Sequence, residues 1–215
     1  MNCIVTAGPT YEPLDTVRRL TNFSTGKLGV ELANHLTIRG HQVTLFVGEQ
    51  AVYPGKRWAA QVRMFSTTAS LRAGLLALSG PPVEAVFHAA AVSDFTFGAV
   101  WQRSTAGELT GVKAGKIPTR EGGLLVELIP TPKLILELRG WFPSARLAGW
   151  KFEVDGGPDD VLRAARLQLA EARTDVCVAN GPAYGPGFGL VTAEGEKRVA
   201  DASSLYAELE EFIRR

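Results

Sequence analysis

A short run from Ser24 to Gly29, Ser-Thr-Gly-Lys-Leu-Gly, carries residue types that can bind a phosphate group. It opens a predicted helix, where free backbone N–H groups attract an anion. Ser24 and Thr25 offer hydroxyls, Gly26 allows a ligand to approach closely, and Lys27 brings a positive charge. The alternative is that Ser24 only caps the helix and that Lys27 is a solvated side chain.

The first predicted strand, Cys3 to Ala7, is followed by Gly8, and open α/β sheets bind ligands beyond the carboxyl ends of their strands. A dinucleotide-binding enzyme would carry G-x-G-x-x-G here and begin its helix at once. This sequence instead inserts residues 11–23, and it contains neither a P-loop, G-x-x-x-x-G-K-[ST], nor a Tyr-x-x-x-Lys pair. An NAD(P)-dependent Rossmann-type reductase therefore stays only as an alternative.

The elements that must position these residues alternate along the chain between apolar runs of strand length and amphipathic stretches of helix length. Strands are predicted over 3–7, 42–47, 62–66, 83–89, 124–128, 146–150 and 175–179. Helices are predicted over 24–39, 67–78, 159–173 and 203–214, with a hairpin over 189–199 that turns near 193–195. We therefore expect one domain, 1–215, with a three-layer Rossmann-like α/β fold, a mostly parallel central sheet and a C-terminal hairpin plus helix.

Two further features of the pattern concern boundaries. Thr131 is expected to cap another helix, with Pro132 at its first position, and Gly40 to end the helix that starts at Ser24. Residues 92–123 are rich in Gly, Thr, Ser and Lys and show no clear periodicity. We predict a long loop there, and a loop of that length is usually functional or mobile.

Composition excludes several classes of protein. The 215 residues carry 23 basic and 22 acidic side chains, a net charge of +1, which argues against binding to nucleic acid or to an anionic membrane surface. Neither the two cysteines nor the three histidines have metal-ligand spacing. No apolar run reaches the roughly 18 residues of a membrane helix, and no signal peptide is recognisable, so we expect a soluble cytoplasmic protein.

Residues 10–29 resemble the pattern T-x-E-x-(I/L)-D-x-V-R-x-(I/L)-x-N-x-S-(S/T)-G-K-(M/L)-G of phosphopantothenoylcysteine synthetase, the C-terminal domain of the DNA/pantothenate metabolism flavoprotein. Other stretches are similar to the family's motifs in the same order. They are His-Ala-Ala-Ala-Val-Ser-Asp-Phe at 88–95, Lys-Ile at 116–117, Thr-Pro-Lys-Leu-Ile at 131–135, Gly-Trp-Lys-Phe-Glu at 149–153 and Asp-Val-Cys-Val-Ala-Asn at 175–180. The chain is identified as a member of this family.

The resemblance implies a ligase of coenzyme A synthesis that joins 4′-phosphopantothenate to cysteine, with CTP or ATP as co-substrate and with Mg²⁺. The family first transfers a nucleotidyl group to the carboxylate and releases pyrophosphate, and the cysteine amine then attacks the acyl-nucleotide. Concentrated negative charge in both steps calls for neutral donors and lysines more than for a titrating base.

The resemblance also assigns catalytic and substrate-binding residues. Asn22 matches the asparagine that contacts the acyl intermediate, although it could also be an Asx-type cap of its loop. Arg18 matches an arginine near the substrate phosphate, which suits a guanidinium. Lys116 matches the mobile-loop lysine that neutralises the triphosphate, with Lys113 as a competing candidate. Asn180 is expected to contact the substrate.

The nucleotide site implied by the resemblance draws on several motifs. Its expected residues are Gly8, Ser24, Gly26, Lys27, Ala90, Ala91, Asp94, Pro132, Lys133, Leu134, Ile135 and Trp150. Asp94 would recognise the base or ribose, and Trp150 and the 132–135 segment would frame the base. Gln168 and Ala172 stand where bacterial members carry lysines, which leaves both CTP and ATP open.

Partners follow from the resemblance as well. Family members are dimers that share the substrate site, so we expect a homodimer. The chain begins at the synthetase motif, and we expect a separate phosphopantothenoylcysteine decarboxylase in the same pathway. Pro118 and Thr119 replace lysines common in bacterial members. A nucleotide-binding homologue without turnover is therefore the remaining alternative.

Overall fold

A computed structural model describes residues 1–79, 82–112, 115–117 and 122–214. The strands are β1 (Asn2–Ala7), β2 (Tyr11–Pro13), β3 (Arg19–Thr21), β4 (Gln42–Gly48), β5 (Gln61–Phe65), β6 (Ala85–His88), β7 (Phe95–Arg103), β8 (Leu109–Gly111), β9 (Gly123–Pro130), β10 (Arg146–Phe152), β11 (Val176–Asn180), β12 (Phe188–Val191) and β13 (Glu196–Val199). The helices are α1 (Lys27–Ile38), α2 (Thr68–Leu76), α3 (Leu134–Trp141), α4 (Pro158–Ala172) and α5 (Ala202–Arg214). None of the helices among these described residues is both long and apolar enough to cross a membrane.

The central sheet has eight strands in the order β13-β12-β11-β10-β6-β1-β4-β5. The six strands β11, β10, β6, β1, β4 and β5 pair in parallel. Strands β12 and β13 add an antiparallel hairpin beside β11. The predicted mostly parallel sheet with its C-terminal hairpin and helix is therefore confirmed.

Helices cover both faces of this sheet and make three layers. On one face, Val30 of α1 and Leu205 of α5 pack with Val5 of β1 in a buried cluster. On the other face, α2 and α3 bury Leu71 and Leu134 against alternate residues of the same strands. Helix α4 completes that second layer over β11. Burial of both sheet faces explains why the central strands are continuous apolar runs.

The expected long loop over 92–123 is wrong. Strand β7 occupies residues 95–103, and it pairs with β8 and β9 in a separate antiparallel sheet of three strands, β8-β7-β9. The strand predicted at 124–128 is β9, and it lies in this small sheet. Both faces of β9 are largely exposed, so the sequence carries no alternation of buried and exposed residues there. The pairing of β7 with β9 also skips residues between Phe97 and Val100 at a bulge.

Two predicted helix starts are also wrong. Helix α1 begins at Lys27, three residues later than expected, because Gly26 is its N-cap in the left-handed conformation (φ 81°), so Ser24 is not the cap. Helix α3 begins at Leu134, with Lys133 as N-cap. Thr131 does not cap it: its N–H donates to Asp94 O, which prolongs the β7–β9 pairing, and its hydroxyl donates to a backbone carbonyl.

Candidate active site

The carboxyl ends of the parallel strands lie side by side and form the carboxyl edge of the central sheet, which is distinct from the outer strands β13 and β5. Ala91, just beyond β6, donates its N–H to Gly8 O (3.0 Å), just beyond β1. In return, Thr10 N–H donates to Ala91 O (3.1 Å), and Pro9 forms an isolated parallel bridge with Ala91. These bonds join the first motif of the chain to the 88–95 motif, so the two predicted nucleotide-binding positions Gly8 and Ala91 are neighbours.

Gly8 and Gly26 bring the start of α1 against the end of β1. Both have positive φ, 82° and 81°. A Cβ built on Gly8 would lie 2.7 Å from Ala51 Cβ, and one on Gly26 would lie 3.3 Å from Gly8 Cα. The sequence suggests that Gly26 is a glycine because a ligand approaches it closely. Its positive φ and its packing against Gly8 are two further reasons why this position requires glycine.

Lys27 extends from the first turn of α1, where the leading N–H groups have no acceptor inside the helix. Its Nζ lies 3.9 Å from Glu31 Oε1, and its side chain is exposed. Glu31 also accepts hydrogen bonds from the hydroxyls of Tyr53 (2.8 Å) and Tyr206 (2.9 Å). Lys27 is thus a solvated lysine beside a fixed carboxylate, at a helix end that suits an anion.

Asn22 reaches across to the end of β6. Its Nδ2 donates to Ala91 O (3.2 Å) and to Val92 O (3.4 Å). The alternative role as a cap of its own loop is therefore wrong, because the amide group bonds residues almost seventy positions away. Its Oδ1 makes no hydrogen bond within the described part of the chain, and the residue is exposed to a ligand.

Arg18 and the 115–117 segment lie together. Arg18 Nη2 donates to Ile117 O (2.8 Å), and Arg18 Nη1 lies 3.4 Å from Asp15 Oδ2. The neighbouring Thr16 donates both its N–H (2.8 Å) and its hydroxyl (2.6 Å) to Gly115 O. Lys116 between these contacts is exposed. The structure therefore places the two predicted cations, Arg18 and Lys116, beside each other, whereas Lys113 lies outside the described residues.

Asp15 is the residue of this corner that the sequence interpretation left without a role. Its carboxylate is 1% exposed and accepts the N–H groups of Val17 (2.9 Å), Arg18 (2.8 Å) and Ile117 (3.1 Å). Desolvation by burial acts to raise the pKa of Asp15, but these three donors and the Arg18 charge outweigh it and hold the pKa below its usual value. The bond from Val17 N–H to Asp15, two residues earlier, is an Asx turn, and an Asp in a loop is the sequence signal for such a turn.

The 132–135 segment and Asp94 stand on the α3 side of the same edge. Asp94, Pro132 and Lys133 are exposed, and Ile135 is half-buried. Leu134 is 1% exposed and packs in the core, so its side chain does not frame the predicted site. Contact between Leu134 and a base would have to come from its backbone.

A buried chain of polar groups supports this side. Ser93 N–H donates to Thr10 Oγ1 (2.8 Å), which donates to Ser93 Oγ (3.2 Å). Thr131 donates its hydroxyl to Ser93 O. Thr68 N–H, at the start of α2, donates to Glu12 Oε1 (2.9 Å). Together these bonds fix the backbone that carries Asp94 to the hairpin formed by β2 and β3.

Trp150 lies near the carboxyl end of β10, and Asn180 is the last residue of the neighbouring β11. Trp150 Nε1 and Asn180 Oδ1 are buried atoms that have no hydrogen-bond partner within the described residues. A buried donor and a buried acceptor without partners are the sort of groups that a polar ligand or an ordered water satisfies. Trp150 also packs against the core, so its ring is partly a core side chain.

The residues at the family's lysine positions take no part in the site. Gln168 donates to Trp150 O (3.2 Å) and to Cys177 Sγ (3.3 Å), and Ala172 is fully buried. Arg166, nearby, pairs with Glu196. These side chains stabilise the packing of α4 on the sheet.

Both cysteines are free and buried, and the side chains that could bind a metal ion are dispersed over the described residues. No group of three His, Cys, Asp or Glu residues able to hold a metal ion occurs in the part of the chain that the structure describes. Burial raises the pKa of both Cys3 and Cys177 to about 12, so neither offers a thiolate at neutral pH.

Comparison with known proteins shows the family to which the chain belongs. The model of the DNA/pantothenate metabolism flavoprotein C-terminal domain matches residues 1–208. The coenzyme A biosynthesis bifunctional protein CoaBC of Thermococcus kodakarensis is 34% identical over 177 residues, 82% of this chain and 40% of that protein. The chain spans about two fifths of the length of the curated relatives that it matches first.

Solved structures share the fold. The DNA/pantothenate metabolism flavoprotein from Streptococcus pneumoniae superimposes with a TM-score of 0.87 at 26% identity, covering 100% of this chain and 98% of that one. A Cab2 mutant in complex with phosphopantothenate-cysteine gives a TM-score of 0.72 at 18% identity, covering 99% and 85%. The chain therefore belongs to the DNA/pantothenate metabolism flavoprotein C-terminal domain family, the phosphopantothenoylcysteine synthetase domain of the CoaBC proteins, as its motifs predict.

Proposed function

We propose that this chain joins 4′-phosphopantothenate to cysteine through an acyl-nucleotide, with CTP or ATP as the co-substrate, and that residues 1–215 act as one domain. The observation that carries the proposal is the bond from Asn22 Nδ2 to Ala91 O, because it unites the two most specific motifs at one sheet edge. The curated relatives named as coenzyme A biosynthesis proteins and the Cab2 complex with phosphopantothenate-cysteine support the substrate class.

In the first step, a carboxylate oxygen of 4′-phosphopantothenate attacks the α-phosphorus of the nucleotide, and pyrophosphate leaves. Lys27 and Lys116 supply positive charge around the nucleotide phosphates at the edge where α1 begins, and Arg18 supplies it beside the phosphate of 4′-phosphopantothenate. Mg²⁺, if required, would be held mainly by the nucleotide phosphates, as is usual for that ion, and it would neutralise charge on the leaving group.

In the second step, the cysteine amine attacks the acyl carbon, the acyl–oxygen bond breaks, and the nucleoside monophosphate leaves with the electron pair. The ammonium-like product loses a proton to solvent to give the amide. We assign Asn22 to the acyl oxygen, to which its Nδ2 donates when it exchanges its longer backbone bond, to Val92 O, for the ligand, without a change of charge. The orphan atoms Trp150 Nε1 and Asn180 Oδ1 are our candidates for polar contacts with the nucleotide and the substrate.

The expected homodimer is supported by large exposed apolar side chains on both faces of the small sheet and in or just after the hairpin formed by β2 and β3. They are Val17, Phe23, Phe95, Leu109, Leu128 and Ile129. Exposed apolar area marks an interface where it gathers into a patch. We propose that a second copy of the chain covers these side chains. Sedimentation velocity of wild type and of Leu128→Glu tests this, and a wild-type monomer would contradict the proposal.

One experiment tests the ligase proposal. The protein is mixed with 4′-phosphopantothenate, Mg²⁺ and either CTP or ATP, and pyrophosphate release is followed with and without cysteine. We expect release with at least one nucleotide and amide product only when cysteine is present. No pyrophosphate with either nucleotide would overturn the proposal, and nucleotide binding without release would identify a homologue without turnover. The named bifunctional relatives support a decarboxylase as the pathway partner.

A further inference from the structure

His88, the last residue of β6, occupies a buried position beneath the predicted nucleotide site. It is 6% exposed, and its backbone is in register with Thr6 of β1 on one side and Gly149 of β10 on the other. Its Nδ1 lies 3.0 Å from Thr6 Oγ1, and Thr6 is completely buried. The imidazole thus shares one dry polar contact with the neighbouring strand.

Thr6 has a second partner in the same place. Its Oγ1 accepts the N–H of Ala90, 3.1 Å away, at the point where the chain leaves β6. Because Ala90 lies beyond the strand, its N–H is paired with this side chain. The hydroxyl therefore connects His88 to the first residue of the turn that carries Ala90 and Ala91.

The hydrogen-bonding roles in this chain of three groups can be assigned from chemistry. A hydroxyl has one proton, and His88 Nδ1 is the one acceptor that the described residues place beside Thr6 Oγ1, so we assign the Thr6 proton to the bond with His88 Nδ1. Nδ1 is then an acceptor, and the ring is a neutral imidazole with its proton on Nε2. Burial lowers the pKa of His88 to about 4, which keeps the ring neutral at neutral pH.

The far end of the turn is bound to the residue proposed for the acyl oxygen. Ala91 O accepts from Thr10 N–H and from Asn22 Nδ2, and Ala91 N–H donates to Gly8 O. Alanine side chains offer no polar anchor, so the turn is held only through hydrogen bonds to its own backbone N–H and C=O groups. The Thr6 hydroxyl is the bond that fixes its beginning.

We propose that His88 is a positioning residue of the ligase, a neutral acceptor that orients the Thr6 hydroxyl and so holds the Ala90–Ala91 turn in the conformation that binds the nucleotide. The inference rests on the proposed function, because it assigns nucleotide contact to this turn. The ring acts through Nδ1 and Thr6 and does not itself touch the nucleotide.

The two ring nitrogens of His88 can be tested separately. Asparagine places a polar atom near the position of Nδ1, glutamine places one near Nε2, and leucine offers neither. The purified chain and the variants His88→Asn, His88→Gln and His88→Leu are titrated with CTP and with ATP by calorimetry, and each melting temperature is recorded. His41→Asn replaces a buried histidine at the opposite edge of the sheet and serves as the control.

We expect His88→Leu and His88→Gln to weaken nucleotide binding by about tenfold, the effect of one misplaced buried hydrogen bond, and His88→Asn to stay within about threefold of wild type. His41→Asn should lower the melting temperature without changing the nucleotide Kd. Thr6→Ser keeps the hydroxyl and should bind normally, whereas Thr6→Val should match His88→Leu. If His88→Leu does not fold, the comparison of Thr6→Ser with Thr6→Val tests the proposal in its place.

Three results would overturn the inference. If His88→Leu, Thr6→Val and the wild type bind the nucleotide equally well, the contact between His88 and Thr6 has no effect on the site. Recovery by His88→Gln in place of His88→Asn would show that Nε2 is the working atom. A wild-type chain that binds neither nucleotide would remove the proposed function together with this inference, whereas the first two outcomes leave the proposed function intact.

Discussion

The carboxylate of Asp15 accepts a hydrogen bond from the backbone N–H of Ile117, 3.1 Å away, and these residues are 102 positions apart in the sequence. Because the same carboxylate also holds the turn at Val17 and Arg18, it ties the hairpin formed by β2 and β3 to the segment that carries Lys116. The position of one proposed active-site lysine thus depends on a residue that never needs to touch a substrate.

Removal of the Asp15 carboxylate should therefore weaken binding of the nucleotide triphosphate. We expect Asp15→Ala to raise the KM for the nucleotide by about tenfold, because hydrogen bonds to a charged acceptor are among the stronger ones and Lys116 loses its anchor. The exposed Asp155→Ala on the α4 side of the chain is the matched control and should leave the KM unchanged. Steady-state kinetics with varied nucleotide make the comparison, and equal KM values for both variants would contradict the anchoring role.

The lowered pKa of Asp15 predicts the sign of a pH effect on stability. A carboxyl whose pKa is lower in the folded state than in the unfolded state stabilises the fold above its usual pKa of 3.8, and that contribution is lost as the pH falls through the folded-state pKa. Wild type should therefore melt higher than Asp15→Asn at pH 6, and the difference should shrink below pH 4. Melting curves across this range make the test, and a difference independent of pH would show that the charge has no role.

The central sheet could be predicted from the sequence because its strands are covered on both faces. Val176 to Ala179, for example, is a continuous buried run, and such a run is visible without knowledge of its neighbours. In the small sheet, β9 was within reach of the sequence as the strand at 124–128, but β7 was not, because it keeps both faces partly exposed and depends on pairing with distant residues. Local pattern carries no signal for a strand such as β7.

The candidate site divides in the same way. The sequence singles out Asn22, Lys27 and Arg18 as candidates because they fall within one motif, and their roles stay predictions. The contacts of Asp15 with Ile117 and of Thr6 with His88 could not, because each joins segments that only the folded sheet brings together. The sequence places the start of α1 too early because Gly26, whose type suits close approach of a ligand, is also the left-handed N-cap.

The adjacent arginines Arg18 and Arg19 provide a matched pair. Arg18 Nη2 donates to Ile117 O, whereas Arg19 lies over the ring of Tyr11, 5.1 Å from its centroid, and points to solvent. We expect Arg18→Ala to reduce kcat/KM for 4′-phosphopantothenate by at least about tenfold through loss of charge beside the phosphate. Arg19→Ala should stay within about twofold, and equal losses in the two variants would reject the assignment of Arg18.

Asn22→Ala should spare the fold and stop product formation. Its side chain is exposed, so we expect the melting temperature to change little, while the rate of amide formation falls by about 10²–10³, the usual effect of one lost donor to a developing oxyanion. Product formation measured by chromatography, beside circular dichroism of the same sample, tests both parts. Unchanged turnover would remove Asn22 from the site.

Gly29 tests how closely α1 must approach β1. A Cβ on Gly29 would lie 2.6 Å from Ala7 Cβ and 2.8 Å from Thr6 O, closer than either atom allows, so Gly29→Ala must push the helix away from the strand. We expect a loss of about 1–3 kcal/mol of stability, and about 2–4 °C in melting temperature per kcal/mol. Gly140 lies in α3 with nothing within 4 Å of its Cβ position, so Gly140→Ala should instead stabilise by about 0.4–1 kcal/mol. Because displacement of α1 also moves Gly26 and Lys27, Gly29→Ala should weaken nucleotide binding, and a variant that melts early yet binds normally would separate the helix end from the site.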